Sequence, residues 1–209
     1  AHAFLAERVR DEIGERLSSI ARPVHKGVWH GAIEPPKVEH TDWYWSDSAL
    51  GFERGPGLVF EEERLPLADR SLDLYASALT LHAVNDLPGA LAQIRRALKP
   101  DGVFIGALFG GETLRELRAA LGQSEIDVDG GLSPRVSPFA DVRDGGSLLQ
   151  RAGFSLPVAD TDIMTVHYEH PLKLLADLRG MGETNVLSER RRSFLKRAVL
   201  QRACEIYFE

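Results

Sequence analysis

Residues 57–111 have the sequence GLVFEEERLPLADRSLDLYASALTLHAVNDLPGALAQIRRALKPDGVFIGALFGG, and this stretch decides the fold. It contains three apolar runs, at residues 58–60, 72–78 and 103–109, that are separated by loops and by one helical segment. The runs do not alternate between apolar and polar residues, which is typical of strands buried on both faces of a sheet. This succession predicts an α/β fold with a mostly parallel sheet and helical crossovers.

The helical segment begins near Pro88 and ends before residues 99–102. Proline suits the first turn of a helix, because the N–H group that it lacks has no partner there. The apolar residues of the segment recur on one helical face, at Leu87, Leu91, Ile94, Ala97 and Leu98. Pro100 cannot continue the helix, and the Asp-Gly pair after it favours a turn into the third strand.

The composition describes a globular protein of a size that suits one domain. The chain has 209 residues, of which 44% are hydrophobic and 27% are charged, so it can bury a core of its own. With 25 basic and 31 acidic residues the net charge is −6. This balance argues against a nucleic-acid partner that is bound through a general basic surface.

Cysteine usage and hydropathy predict the compartment. The single cysteine, Cys204, excludes an intrachain disulfide and fits a reducing environment. No apolar run approaches the ~20 residues that a membrane span requires, and the first residues lack the pattern of a signal peptide. We therefore expect a cytoplasmic protein without a membrane span.

Two motifs carry a resemblance to a known family. LPLADRSLDLYASALTLHAVND, at residues 65–86, and ALKPDGVFIGALFGG, at residues 97–111, resemble the central half of a class I S-adenosylmethionine-dependent methyltransferase of the type 11-like group. GETLRELRAAL and GGLSPRVSPFADVRDGGSLLQRAGF are similar to one branch, the bacterial relatives of a mitochondrial complex I assembly factor with the methyltransferase fold. The resemblance implies a Rossmann-like sheet with helices on both faces and S-adenosylmethionine as the cofactor.

The resemblance also predicts how the chain is organised. We expect one methyltransferase-like domain over residues 1–209, with a leading helix at 1–22 and a cofactor-binding core at 24–125. A lid-like loop at 126–140 and C-terminal helices with a strand at 141–209 complete it. The alternating residues 161–168 predict that strand, and a last helix is predicted from Ser188 to Phe208. The family's final strand is predicted to be missing.

The first strand unit matches the family poorly. The family opens its sheet with a strand that ends in an acidic, glycine-rich turn, whereas residues 24–33 contain only Gly27 and Gly31, with no acid before them. Few residues separate this candidate strand from the next, at residues 38–45, although a parallel crossover needs a dozen or more. Either the first crossover is degenerate, or the sequence omits residues between Ile33 and Gly57; we favour omission.

The resemblance places a cofactor at the ends of the predicted strands, because ligands of open parallel sheets lie at the carboxyl ends of the strands. Asp47 is the candidate for the ribose hydroxyls, with Asp42 as an alternative, and Glu61 is the candidate for the adenine amino group. A turn residue and a surface charge are their structural alternatives. The other candidates are backbone contacts, namely the Gly27 and Gly31 turn and Ser77, Ala78 and Leu79.

Three further residues are candidates for the reaction or the substrate. His82 is a candidate catalytic base, because histidine is the residue type most often used as a proton acceptor, and packing of its loop is the alternative. Residues 130–139 are rich in Gly, Ser and Pro yet carry apolar side chains, which favours a lid over a site. Arg135 and Phe139 are its substrate candidates, and a structural salt bridge is the alternative for Arg135. Spacings typical of metal sites are absent from the sequence.

The predicted activity is methyl transfer by in-line displacement to an unidentified acceptor, either a small molecule or a protein. Such transfer requires positioning of two groups in a dry pocket rather than a catalytic triad. The alternative is a methyltransferase-like assembly factor of respiratory complex I. It would modify a protein, for example by arginine hydroxylation, or act as a non-catalytic scaffold with a respiratory-complex subunit as partner.

Overall fold

The chain forms two compact units in the computed structural model, which describes residues 2–47, 57–137, 139, 141–185, 187, 190, 191 and 193–208. The sheet unit contains Ala3–Phe109 and Ala140–Asp160. The helical unit contains Gly110–Phe139 and Thr161–Glu209, together with His2. The residues of the expected single domain are thus divided between two units.

The elements follow one another in chain order. The strands are β1 Lys26–Gly31, β2 Asp42–Asp47, β3 Gly57–Val59, β4 Leu72–Ala78 and β5 Leu98–Ala107. The helices are α1 Phe4–Ser18, α2 Leu87–Ala97, α3 Arg115–Asp129, α4 Val142–Arg151, α5 Pro171–Met181 and α6 Arg197–Phe208. A 3-10 turn, Leu81–Ala83, follows β4.

The five strands form one sheet in the order β3-β2-β1-β4-β5, and each neighbouring pair is parallel. All seven residues of β4 are buried. Its side chains alternate between two apolar clusters: Leu74 packs with residues of α1, and Tyr75 packs with residues of α2. The predicted α/β class, with a parallel sheet and helices on both faces, is therefore confirmed.

The turn predicted at residues 99–102 lies inside a strand. Leu98 pairs with Leu72 and Val103 pairs with Leu74, so four residues of β5 bulge out opposite the single residue Asp73. Lys99 Nζ lies 2.6 Å from Asp73 Oδ1, which fixes the bulge to β4. Helix α2 ends at Ala97, before Pro100 as predicted, but the chain enters β5 at the next residue, Leu98, without an intervening turn.

The connection between β1 and β2, residues 32–41, contains no helix. The two strands are nonetheless parallel neighbours, with Lys26 opposite Asp42 and His30 opposite Ser46. In the described residues the first crossover therefore has the degenerate form. Residues 48–56, where the omission hypothesis also applies, lie outside the described part of the chain.

Three predictions about the later chain are corrected. Residues 161–168 are described and form no strand, because they have no neighbouring strand to pair with. The last helix begins at Arg197 rather than at Ser188, which lies outside the described residues. Residues 126–129 of the predicted lid are the last turn of α3.

The helical unit has its own apolar core. Leu117 and Leu121 of α3 pack with Leu174 of α5 and Ala203 of α6. These residues belong to the apolar faces of the three helices, and the packing of those faces against one another forms the core of the unit. Among the described residues, no helix is both long and apolar enough to cross a membrane.

The buried face of β4 allows a test of the core. We expect Leu74→Ala to lower the free energy of unfolding of the sheet unit by about 2–5 kcal/mol, because Leu74 is 0% exposed. Leu156→Ala is the matched control, since Leu156 is 94% exposed and its truncation should cost at most about 0.5 kcal/mol. Urea unfolding followed by tryptophan fluorescence measures both, and equal effects would contradict the assigned core.

Candidate functional site

The carboxyl ends of the parallel strands bring several predicted residues to one edge of the sheet. Asp47 is the last residue of β2, Glu61 follows β3 closely, and Ala78 is the last residue of β4. Asp47 pairs with Val59 in the β2–β3 register, and its carbonyl accepts a hydrogen bond of 3.2 Å from Phe60 N. Asp47 and Glu61 therefore lie at the predicted edge of the sheet, whereas the alternative candidate Asp42 is the first residue of β2 and lies at the opposite edge.

The predicted glycine turn is not formed, because Gly27 and Gly31 both lie in β1. A Cβ atom on Gly27 would lie 2.9 Å from the ring of Trp43, and one on Gly31 would lie 3.1 Å from the Cβ of Ala78. These glycines are thus required for the close packing of β1 against β2 and β4. This corrects the predicted turn.

The segment after β1 is held by the three tryptophans of the chain. Each donates its indole N–H to a backbone carbonyl of residues 31–36, with N···O distances of 2.7 Å from Trp29, 3.0 Å from Trp43 and 2.9 Å from Trp45. Buried indole groups normally require such a partner. The carbonyl groups of residues 31–36 therefore accept hydrogen bonds from tryptophans of β1 and β2, and the segment does not form a glycine-rich turn.

A buried polar network lies near the end of β1. His30 is 0% exposed, and its Nδ1 lies 2.8 Å from Ser46 Oγ. Its Nε2 lies 3.1 Å from Oε1 of Glu62. Burial alone raises the pKa of Glu62, but the contacts with His30 and Thr80 outweigh it and bring the pKa from 4.5 to about 2.

The sequence singled out Glu61, whereas the structure buries the next residue, Glu62. Phe60 is buried, Glu61 is exposed and Glu62 is buried in the turn that follows, although all three residues of β3 are exposed. Three consecutive glutamates carry no local signal that distinguishes Glu62, because its burial follows from the contact with His30. Glu61 keeps its exposed position at the strand edge, and its adenine contact stays a prediction.

The last two residues of β4 and the loop after it contain the remaining sheet candidates. Ser77 and Ala78 are buried, and Ser77 Oγ lies 2.8 Å from Thr80 Oγ1. Leu79 has φ of +56°, and its N–H donates to Ala107 O at 2.9 Å. His82 lies in the 3-10 turn with its ring 4.6 Å from that of Phe109, which is the packing alternative. Its catalytic role stays a prediction.

The helical unit holds the two lid candidates, and Arg135 has the structural salt bridge that was its alternative. Its Nη2 lies 2.6 Å from Oε1 of Glu125, which is buried. Ser133 donates to the same carboxylate from its backbone N and from Oγ, each at 2.7 Å. Burial opposes ionisation of Glu125, but these hydrogen bonds hold its pKa below the ordinary value.

Arg135 and Phe139 meet at a cleft of about 490 Å³ within the helical unit. The cleft is lined by Gly111, Arg118, Gly122, Leu132, Ser133, Pro134, Arg135, Val136 and Phe139. The structure therefore brings the two lid candidates together. No group of three or more His, Cys, Asp or Glu residues suited to a metal ion occurs in the described part of the chain.

The comparisons with known proteins agree with this fold. A methyltransferase domain model matches residues 49–106, which start after β2. A zebrafish protein named arginine-hydroxylase NDUFAF5, mitochondrial, is 47% identical over 99% of this chain and 68% of its own length. The chain belongs to the NDUFAF5 family. The mouse NDUFAF5 protein is 49% identical over 99% of this chain and 64% of its own length.

The chain thus spans about two thirds of these NDUFAF5 proteins. The alignment with the mouse protein runs over 220 positions, more than the 209 residues of the chain. The mouse protein therefore has residues within the matched stretch that this chain lacks, and omission between Ile33 and Gly57 stays a prediction.

A solved structure shows the same fold at low identity. The methyltransferase of Haloferax volcanii, in complex with its Trm112 activator, superposes with a TM-score of 0.52 and 15% identity over 87% of this chain and 89% of that chain. The predicted class I methyltransferase fold and the resemblance to the assembly-factor branch are both confirmed.

The buried Glu62 predicts a dependence of stability on pH. Because its folded pKa of about 2 lies below 4.5, its contribution is complete above pH 4.5 and disappears as the pH falls toward 2. We expect Glu62→Gln to lower the free energy of unfolding by about 3 kcal/mol at pH 7, since His30 loses its buried partner. The loss should shrink in acid.

The exposed neighbour provides the control for this experiment. Glu61→Gln should change the free energy of unfolding little at any pH, because Glu61 is solvated. Urea unfolding of both variants between pH 7 and pH 3, compared with the unaltered chain, measures the effect. A Glu62→Gln loss that does not diminish between pH 4.5 and pH 3 would refute the assigned contact between Glu62 and His30.

Proposed function

We propose that this chain is the core of an S-adenosylmethionine-dependent enzyme that modifies an acceptor by methyl transfer. The observation that carries the proposal is the position of Asp47 and Glu61, which lie at the carboxyl ends of two paired strands of a methyltransferase-type sheet. That edge is where open parallel sheets bind ligands.

The donor and acceptor groups at this edge fit the adenosine half of the cofactor. Ribose hydroxyls and the adenine amino group are hydrogen-bond donors, and the carboxylates of Asp47 and Glu61 are acceptors. The backbone groups of Ser77, Ala78 and Leu79, at the end of β4, would contact the methionine half of the cofactor. Because β1 ends without a glycine turn, we assign no cofactor contact to Gly27 or Gly31.

The chemistry would require little more than placement from this chain. When bound, S-adenosylmethionine supplies an electrophilic methyl group on a sulfonium. The protein would hold that group and the acceptor in line and exclude water, which lowers the barrier through orientation. The buried Ser77 and the packed His82 would shape the dry side of the pocket. A role for His82 as proton acceptor is part of this proposal.

Family membership favours a second candidate, hydroxylation of a protein arginine. It rests on the identity of 47–49% to proteins that are named arginine-hydroxylases. Hydroxylation adds an oxygen atom and therefore requires an oxidant in addition to the residues of this chain. Mass spectrometry of the modified acceptor separates the two candidates, since a methyl group and an oxygen atom add different masses.

The acceptor we favour is a protein, and a respiratory-complex subunit is the proposed partner, because the relatives carry an activity directed at arginine in their name. A small-molecule acceptor is the alternative. The compartment of the protein would be that of its acceptor. The single cysteine predicts the cytoplasm, whereas the relatives are named as mitochondrial. The net charge of −6 leaves nucleic acid as the least favoured acceptor.

Calorimetric titration with S-adenosylhomocysteine tests the proposed cofactor site. We expect saturable binding that Asp47→Asn weakens by at least about tenfold, because a charge-assisted hydrogen bond to a ribose hydroxyl is weakened. Asp42→Asn is the matched control: it alters the same strand at its opposite end and should leave binding unchanged. Absence of binding at millimolar ligand, or equal losses in both variants, would overturn the proposal.

A further inference from the structure

The cleft of the helical unit contains a cation that the proposed reaction does not use. We propose that this cleft binds a small organic carboxylate with an apolar body, and that the guanidinium of Arg118 recognises the carboxylate. The proposal concerns the helical unit alone and does not depend on cofactor binding in the sheet unit.

The partners of Arg118 are backbone carbonyls. Nη1 donates to Gly111 O at 3.3 Å, and Nη2 donates to Thr113 O at 3.2 Å and to Ser137 O at 3.3 Å. A guanidinium carries five N–H donors, so about two of them have no partner among these bonds. Carbonyl oxygens orient the group but do not neutralise it, and Arg118 therefore retains its positive charge within the cleft.

The second cation of the cleft differs in this respect. Arg135 lies 2.6 Å from the buried carboxylate of Glu125, which neutralises it. None of the described residues that line the cleft is acidic. The field inside the cleft is therefore set by Arg118. The N-terminal end of α3, where Arg118 lies in the fourth position, adds to the positive potential.

The side chains that line the cleft determine which chemical group would accompany the carboxylate of the ligand. Leu132, Pro134, Val136 and Phe139 give the cleft apolar sides, and Leu132 is 71% exposed. A volume of about 490 Å³ lies in the range of small-molecule sites rather than of flat protein interfaces. An apolar body would cover these side chains, while a carboxylate would pair with the N–H groups of Arg118 that have no partner among the described residues.

The same charge determines what the cleft would reject. A cationic ligand would meet an unneutralised guanidinium at close range, and the repulsion in a partly desolvated site costs binding energy. The arginine side chain of a protein acceptor is therefore not the occupant of this cleft. An uncharged apolar molecule would pack against the apolar side chains of the cleft but would form no charge-assisted hydrogen bonds.

Displacement of the fluorescent anion anilinonaphthalenesulfonate from the full chain provides the test. Three competitors share one phenyl ring and differ in charge: phenylpropionate, phenylpropanol and phenylpropylamine. We expect phenylpropionate to displace the probe at a concentration at least about tenfold lower than either of the others. Equal potency of the three, or no saturable binding of the probe, would overturn the proposal.

Two variants and a control locate the effect. Arg118→Gln should remove the advantage of phenylpropionate, whereas Arg115→Gln should preserve it, because Arg115 is exposed and already pairs with Glu112 and Glu116. Gly122→Leu places a side chain in the cleft and should weaken all ligands, while a helix tolerates leucine better than glycine. If Gly122→Leu leaves displacement unchanged, the ligand binds elsewhere and the proposal fails, whether or not Arg118→Gln folds.

Discussion

The structure of the sheet unit depends on the insertion of β1 between β2 and β4. Side chains of adjacent parallel strands stand side by side on each face of the sheet, about 4.8 Å apart, so a large ring on one strand can fill the space beside a residue of its neighbour. Gly27 and Gly31 provide that room beside Trp43 and Ala78. The order β3-β2-β1-β4-β5 follows from this insertion, and it aligns the carboxyl ends of the strands at one edge.

That edge has two different halves. The side formed by β2 and β3 presents the carboxylates of Asp47 and Glu61, which suit a nucleoside. The side near β1 is occupied by the chain itself, through the tryptophan contacts and the buried pair of His30 and Glu62. The family match at residues 49–106 includes β3 and β4 and leaves out both β1 and β2. The cofactor proposal therefore rests on the β2–β3–β4 part of the edge.

The sequence predicted the elements whose pattern is local. β4 and α2 follow from an uninterrupted apolar run and from a helical stripe with a proline at its start, and neither requires knowledge of distant residues. The acidic residues at the strand ends were also located, because a parallel sheet fixes where strand ends lie. Residues 99–102 were interpreted as a turn, since nothing local distinguishes a turn from a bulge that Lys99 anchors to Asp73.

The remaining features depend on contacts between distant residues. The choice between Glu61 and Glu62 is set by His30, which lies far away in the sequence. Within the described residues Arg135 is neutralised by Glu125, whereas the hydrogen bonds of Arg118 go to carbonyls, and the sequence alone singled out Arg135 rather than Arg118. Such differences arise in the folded chain, because burial and partner identity decide the effective charge of each group.

Hydrogen–deuterium exchange of the full chain, with and without S-adenosylhomocysteine, tests the central claim that the ends of β2, β3 and β4 bind the adenosine half of the cofactor. Ligands slow exchange in the segments that they contact, because local opening becomes costlier. The account predicts slower exchange in peptides that cover residues 45–47, 60–63 and 77–80, with residues 31–36 unchanged. Slower exchange confined to residues 31–36, or no change at any strand end, would contradict it.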